Sequence, residues 1–518
     1  MYFMLSIKTK KTLAVTAFCI LFLVTRIPFL GFDTINPDAV NWHFRSEQFV
    51  VGLKSGDLLK TYQHYHPGVT LMWIIGLPIE IVRQVNPEYR VYDEHNFIFL
   101  HQVAKYALVL AQFVLTMITF LALKDVLGWK RSLLTVGLLS FEPFFLGNSR
   151  LLHLDVLLTQ CVFLALVFAH KYTSTRSTSS IIISGLFSGL AFLTKSVGGL
   201  TLALIAIYLL VHTLTKQTIK KALRNMTLFA VTGVGTIFIF FPALWVAPID
   251  VLTGIYTDGL RIGTRRGHDQ IVLGEYTDSA GPAYYPTVLA LKTSPVLLAG
   301  TLVFMVFLVL AYRKSTTHRL GFVLMTSVFY AVYFVGMSLA SKKIDRYMLP
   351  VYPLFCVATA YALTTIEARI QGWKQKLALC IPLAAGLAYP LIAFYPYYFT
   401  YTNPVFGSTE NANRIIGQKP FGVGIPELKN LIVSRYGANV GLGFIDKKPM
   451  SMIYPNSKLF DIRVDGTKKY DLIVLGPNEV MPENVIQSQL KYKLDYTFYI
   501  NGLAYWRVYK KDTTNAVN

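Results

Sequence analysis

Several short segments hold the residues best suited to chemistry. The stretch TRIPFLGFDTINPDAVNWHFRSEQF places Asp33 and Asp38 just beyond an apolar run, where that run would leave a membrane. A carboxylate at a partly desolvated site makes a good general base, because burial raises its pKa toward neutrality and fixed position supplies the rest. The plainer alternative for either acid is a solvated loop residue or a helix cap. Further on, QHYHPGVT sets His64 and His66 ahead of Pro67 and Gly68, and SRLLHLDVLLT sets Arg150, His153 and Asp155 between two adjoining apolar runs. Uncompensated charge is costly there and tends to be functional. The alternative is an Arg150–Asp155 pair that merely pins two helices together.

A second group is cationic. Lys195 stands in FLTKSVGG between apolar runs, Lys342, Lys343 and Arg346 crowd SKKIDRYMLPVYP, and Lys105 lies inside a run. Gathered beside acids at a membrane rim, such cations suit a lipid phosphate, Arg through its fork of donors and Lys as a point charge. Snorkelling to lipid headgroups is the alternative for any one of them, and the preferred reading for Lys342 and Lys343.

The elements that must position these residues are membrane helices. Of 518 residues, 53% are hydrophobic and 15% charged, against about 25% charged in soluble chains. The apolar residues fall into blocks of about 17 to 25, the length of a bilayer crossing. We place about eleven spans, near 12–30, 98–123, 132–147, 155–170, 180–194, 197–214, 226–246, 287–311, 320–340, 347–366 and 377–395. The first is too long and lacks the small-residue site of a cleaved signal peptide, so it reads as a retained span.

The connecting segments alternate in charge. One side collects Lys8, Lys10 and Lys11, then Lys124, Lys130 and Arg131, then Lys171 and Arg176. It goes on with Lys216, Lys220, Lys221 and Arg224, then Arg313, Lys314 and Arg319, and last Arg369, Lys374 and Lys376. Cytoplasmic loops carry the cationic excess, which puts the N-terminus in the cytoplasm and segments 31–97, 247–286 and 396–518 outside a plasma membrane. The apolar segment 67–83 is interrupted by Pro78 and would invert this alternation if it crossed, so it reads as an interfacial helix. The net charge of +21 is therefore an orientation signal and not a nucleic-acid footprint. All four cysteines fall within predicted spans, which leaves no disulfide framework or cysteine metal site. The tail changes texture. Short apolar runs at 440–445, 472–475 and 496–509, with turn residues such as Asn501 and Gly502, predict a small α/β domain over 396–518 beyond a transmembrane domain over 1–395.

Taken in order, NPDAVNWHFRSEQF, YHPGVTLMW, SRLLHLDVLLT, GLAFLTKS, KKIDRYMLPVYP and YYFTYTNPVFG resemble the GT-C membrane glycosyltransferases. Within them the likeness is to the family of protein O-mannosyltransferases and aminoarabinose transferases. The resemblance implies a polytopic α-helical GT-C fold. It also implies an inverting transfer of sugar from a polyprenyl-phosphate donor to a hydroxyl of a protein, glycan or lipid on the extracytoplasmic side. Carried over by position, it makes Asp38 the catalytic acid with Asp33 a weaker candidate, and Asp155 a second site acid with Arg150 and His153 as neighbours. Lys195, Arg346 and Lys105 would contact the donor phosphate, although relatives often have Arg in place of Lys105. His66 lies in a motif where relatives have a second proline and this chain has Gly68. FGVGIPEL stands where a Trp-Gly-Glu-Gly type segment is expected, so the tail is given no catalytic role. The need for a divalent metal is left open. The rival function is a transporter or lipid flippase, whose intramembrane charges would mark a substrate path.

Overall fold

A computed structural model describes residues 6–216, 218–265, 269–311, 318–465, 470–488 and 490–512. Arg313 and Lys314, counted above among the cytoplasmic cations, lie outside them. The helices in chain order begin with α1 Ile7–Arg26, α2 Pro37–Ser55, α3 Val69–Val85, α4 Phe97–Leu127, α5 Trp129–Phe141, α6 Pro143–Ser149 and α7 Asp155–Thr175. They continue with α8 Thr178–Thr194, α9 Gly199–Lys216, α10 Ile219–Phe240, the single turn α11 Ala243–Val246, α12 Pro248–Thr264, α13 Tyr284–Lys292 and α14 Pro295–Ala311. Last come α15 His318–Leu339, α16 Tyr352–Arg369, α17 Trp373–Ala393, α18 Thr409–Ile415, α19 Ile425–Tyr436 and α20 Glu483–Ile486.

Among the described residues seven helices are long and apolar enough to cross a membrane, or eight if α13 and α14 count as one broken span. Helices α1, α5 and α8 fall outside that set. The chain is an integral membrane protein. Five of these seven spans are less than half buried, whereas α7 is buried along nearly its whole length. Helices α8 and α10 approach closely. Gly185 and Gly189 of α8 are four residues apart and so share a face, and a Cβ on Gly185 would meet Thr232 Oγ1 at 2.0 Å. Small residues at that spacing let backbones touch where lipid gives helices no hydrophobic reason to associate.

Three expected spans are altered by local chemistry. The first ends at Arg26 and not near residue 30, because Arg150 reaches over to take the carbonyls of Thr25, Arg26 and Pro28 at 2.9, 3.0 and 2.9 Å. The span expected at 132–147 breaks at Glu142, which is extended ahead of Pro143, as a residue before proline tends to be. The span expected at 287–311 is bent by 114° between α13 and α14. Pro295 starts the second arm, and the Glu142 carboxylate accepts from the Ser294 backbone N–H at 2.7 Å and from its hydroxyl at 2.6 Å. One buried acid thus caps a helix start inside the bundle.

Beyond residue 393 the chain forms a five-stranded sheet from β3 Leu442–Phe444, β4 Leu459–Asp461, β5 Leu472–Leu475, β6 Tyr492–Ile500 and β7 Leu503–Lys511, in the order β4-β3-β5-β7-β6. A separate two-stranded hairpin, β1 Gln270–Val272 with β2 Glu275–Thr277, lies in the segment after α12. Strand β3 pairs parallel with β4 and β5, while β7 is antiparallel to β5 and β6. The β6–β7 turn is Asn501–Gly502, both at positive φ, as a tight two-residue hairpin demands. One face of this sheet packs within the tail, around Ile462, Tyr470, Ile473, Leu475 and Val485, and the other packs on the helical region. Ile35, Val40, Phe97 and Leu151 from the helical region pack in one cluster with Val423, Leu428, Val474 and Val508 of the tail.

Candidate active site

Two acids come together at the starts of two helices. Asp38 is in the first turn of α2, preceded by Pro37 at a position where the ring fits, and Asp155 opens α7. The positive end of each helix favours an ionised carboxylate there. Between them stand His153 and Arg346, and each touches both acids. His153 Nε2 lies 3.1 Å from Asp38 Oδ2 and its Nδ1 lies 2.8 Å from Asp155 Oδ2. Arg346 donates from Nη2 to Asp38 Oδ2 at 2.9 Å, and its Nε is 3.0 Å from Asp155 Oδ2. The two contacts to Asp155 Oδ2 are at ion-pair distance without the alignment of a hydrogen bond. Lys195, extended just past the end of α8, donates to Asp155 Oδ1 at 2.7 Å and sits over the Tyr347 ring at 4.0 Å.

The acids differ in access. The Asp38 side chain is 35% exposed and that of Asp155 only 3%. Asp38 is therefore the member of the pair that a substrate can reach. Its environment reverses the expectation that burial would raise it. Burial does act upward and is the largest single influence, but the hydrogen bond and charge of His153, with the charge of Arg346, hold the carboxyl well below the usual carboxylate range.

Two cavities flank this network. The first, of about 510 Å³, is walled by apolar side chains of α12 and α15 such as Leu252, Ile255, Leu260 and Met337, and His66, Lys195, Lys342 and Tyr347 line it as well. His66 is fixed against Ser196 Oγ at 3.2 Å, and burial beside Lys195 pushes its pKa well below the usual value, leaving it neutral. The second, of about 520 Å³, runs from Asp38 and Arg346 to the tail. Lys342 lines both. Burial and the neighbouring Arg265, Arg346 and Lys195 charges push its pKa down to about 8.

Not every residue singled out in the sequence joins this network. Asp33, Lys105 and Arg150 form a second, sealed cluster, with Lys105 Nζ 2.9 Å from Asp33 Oδ1 and Arg150 Nε 2.8 Å from Asp33 Oδ2. Lys105, expected at the donor phosphate, is 1% exposed and lends its remaining reach to Thr34 O. Arg150, expected beside Asp155, spends its donors on Asp33 and the end of α1. Burial acts to raise Asp33, and the Arg150 and Lys105 charges override it and hold the carboxyl low. The cluster braces the loop that carries Asp38, and the Asp33 carbonyl accepts from the Gly424 N–H at 2.9 Å.

Sequence reasoning missed the tail's contribution. Phe421 of FGVGIPEL stacks on the Arg346 guanidinium at 4.7 Å. Gly422, at φ +69, passes so close that a Cβ would meet Ile35 O at 1.9 Å. The paired glycines were the available signal, since only glycine fits such a close, left-handed passage. Among the described residues no group of three or more His, Cys, Asp or Glu is placed to hold a metal ion.

Comparison with known proteins follows the same lines. Residues 97–245 match the family model described as dolichyl-phosphate-mannose-protein mannosyltransferase. Among solved structures, ArnT from Cupriavidus metallidurans bound to undecaprenyl phosphate superposes with a TM-score of 0.54 at 14% identity, covering 97% of this chain and 98% of that one. The chain has the GT-C glycosyltransferase fold. The apo form of the same ArnT gives 0.54 at 16% identity over 96% of this chain and 98% of that one. The Archaeoglobus fulgidus oligosaccharyltransferase tethered to an acceptor peptide gives 0.52 at 10% identity, over 90% of this chain and 69% of that one. No curated protein matches the sequence. The chain shares the fold of these neighbours with few of their residues.

Proposed function

We propose that the protein is an inverting glycosyltransferase that moves a sugar from a polyprenyl-phosphate donor to an acceptor hydroxyl on the extracytoplasmic face of its membrane. The observation that carries this is the Asp38–His153–Asp155–Arg346–Lys195 network standing between an apolar cavity and a polar one. The apolar cavity suits the lipid end of the donor, with its phosphate at Lys195, Lys342 and Arg346. That the ArnT neighbour binds undecaprenyl phosphate and the family model concerns dolichyl-phosphate mannose supports the donor class.

The acceptor oxygen attacks the anomeric carbon from the side opposite the phosphate. The new C–O bond forms as the C–O bond to phosphate breaks, the electron pair leaves on the phosphate, and the hydroxyl proton passes to Asp38. A carboxylate held low by His153 and Arg346 is a weak base toward an intact alcohol. Proton transfer therefore comes late, once bonding to an oxocarbenium-like carbon has made the hydroxyl acidic. The cations stabilise charge that grows on the phosphate, so no acid is needed for the leaving group.

The membrane arrangement belongs to the same reading. Seven helices, the broken α13–α14 pair, and α1, α5 and α8 together make eleven crossings, with the tail on the outer side. Helices α4, α7 and α16 each start beside the two charged clusters and run to the opposite end. There Lys130 pairs with Glu367 and Arg131 donates to Thr364 at 2.9 Å. Lys130 and Arg131, taken as cytoplasmic, thus lie away from the site. A flippase or transporter would need charges along a path through the midplane, whereas these gather at one rim.

Replacing Asp38 with Asn in membranes supplied with polyprenyl-phosphate mannose should lower release of polyprenyl phosphate by about 10²–10⁴-fold. Wild-type rates in that variant would remove the base assignment.

A further inference from the structure

The second cavity has a wall that the transfer chemistry does not need. Besides Asp38 and Arg346 it is lined by the β1–β2 hairpin and the tail, including Gln270, Tyr276, Asp446, Glu479 and Trp506. Gln270 is 7% exposed, and its Nε2 is a buried donor with no partner. Leaving such a group unpaired costs about 1–3 kcal/mol. An amide held this way lacks an oxygen ligand.

The charges of this wall identify the ligand's class. Its carboxyls are Asp269, Asp446 and Glu479, and its cations Lys419 and Arg463, since Lys342, which also lines the cavity, is assigned above to the donor phosphate. Arg463 is already spent, since its Nε and Nη2 donate to the two oxygens of Asp461 at 2.9 and 2.6 Å. An incoming phosphate would therefore meet three acids and one lysine. Hydroxyl groups are better suited, because each can donate to a carboxylate and accept from an amide. The ring of Trp506 is fixed by its N–H to Val423 O at 2.8 Å, so what it offers the cavity is apolar surface. Burial pushes Glu479 up to about 7, against the Gly476 N–H that it accepts at 2.6 Å. It can then donate as well as accept near neutral pH. A peptide would lay apolar surface over these acids and desolvate them without replacing their partners.

We propose that this cavity is the acceptor site and that it takes a neutral polyhydroxylated group, a glycan hydroxyl being the one that is glycosylated. This rests on the transferase reading above and adds the acceptor's class. The acceptor's reacting hydroxyl lies at Asp38, and its other hydroxyls meet Gln270 and Glu479.

The test compares cells making the full wild-type chain, Asp38→Asn, Gln270→Ala or Glu479→Ala, at matched membrane levels and unfolding temperatures. Glycans, proteins and lipids are read by mass spectrometry, and polyprenyl phosphate release is measured in membranes given polyprenyl-phosphate mannose. The expected result is an Asp38-dependent sugar on a neutral glycan, reduced at least fivefold in both cavity variants. A sugar found on Ser or Thr side chains or on a lipid phosphate overturns the inference. So does a glycan product that both cavity variants still make at wild-type levels, or Asp38-dependent release of polyprenyl phosphate with no glycan product. Neither release nor product would instead remove the transferase reading itself.

Discussion

His153 sets the working range of Asp38. It lies 3.1 Å from the carboxylate and is the first influence after burial on its pKa. In a His153→Gln variant the Asp38 carboxyl should rise toward its ordinary value of 3.8. The acid limb of the pH–rate profile for kcat/KM then moves to higher pH, by about 1 unit for each 1.4 kcal/mol of lost interaction. An unmoved limb would show that His153 does not act on this carboxylate. Asp33 plays a different role, holding Lys105 and Arg150 neutralised in a sealed pocket. Asp33→Ala should destabilise the protein by about 3–5 kcal/mol, because two buried cations lose their counter-ion. Its pKa is lowered on folding, so the stability it contributes is present above its ordinary value of 3.8 and lost as the pH falls below it. The gap in thermal unfolding between wild type and Asp33→Ala, followed from pH 7 to pH 3, should narrow as the pH falls below 3.8, and a constant gap would refute the pairing.

At the scale of elements, Glu142 joins two breaks. It ends α5 ahead of Pro143 and caps the start of α14 through Ser294. A Glu142→Ala variant leaves the Ser294 N–H buried and unpaired, at about 1–3 kcal/mol. We expect a lower unfolding temperature in detergent with little change in donor affinity, and an unchanged temperature would mean that Pro295 alone maintains the bend. Helix positions were legible because apolar blocks of bilayer length are a strong signal. The bends were not, because Pro143 and Pro295 mark breaks without giving their angle, and the 114° turn depends on an acid about 150 positions upstream reaching Ser294.

Across the whole molecule, helical region and tail form one packed unit around the site. Val423, Leu428 and Val474 share a core with Ile35, Val40 and Phe97, while Gly424 and Phe421 touch the Asp33 loop and Arg346. Removing residues 396–518 should therefore abolish transfer and lower the stability of the remaining helices, measured by detergent unfolding and donor turnover. A truncated chain with wild-type turnover would mean that the tail is an appendage.

The amino-acid order alone fixed the membrane class, the placing of most helices and the chemical kind of Asp38, Asp155, Lys195 and Arg346. Those follow from hydrophobic periodicity and from the cost of charge beside lipid, both of which are local. Tertiary structure decided which charges meet. Asp38 and Arg346 are 308 positions apart in the chain, yet 2.9 Å apart in space. Lys105 and Arg150, similar in type to the site cations, were drawn instead to Asp33. A cation's partner depends on which loops fold against one another, and that is settled by long-range packing such as the passage of Gly422 against Ile35.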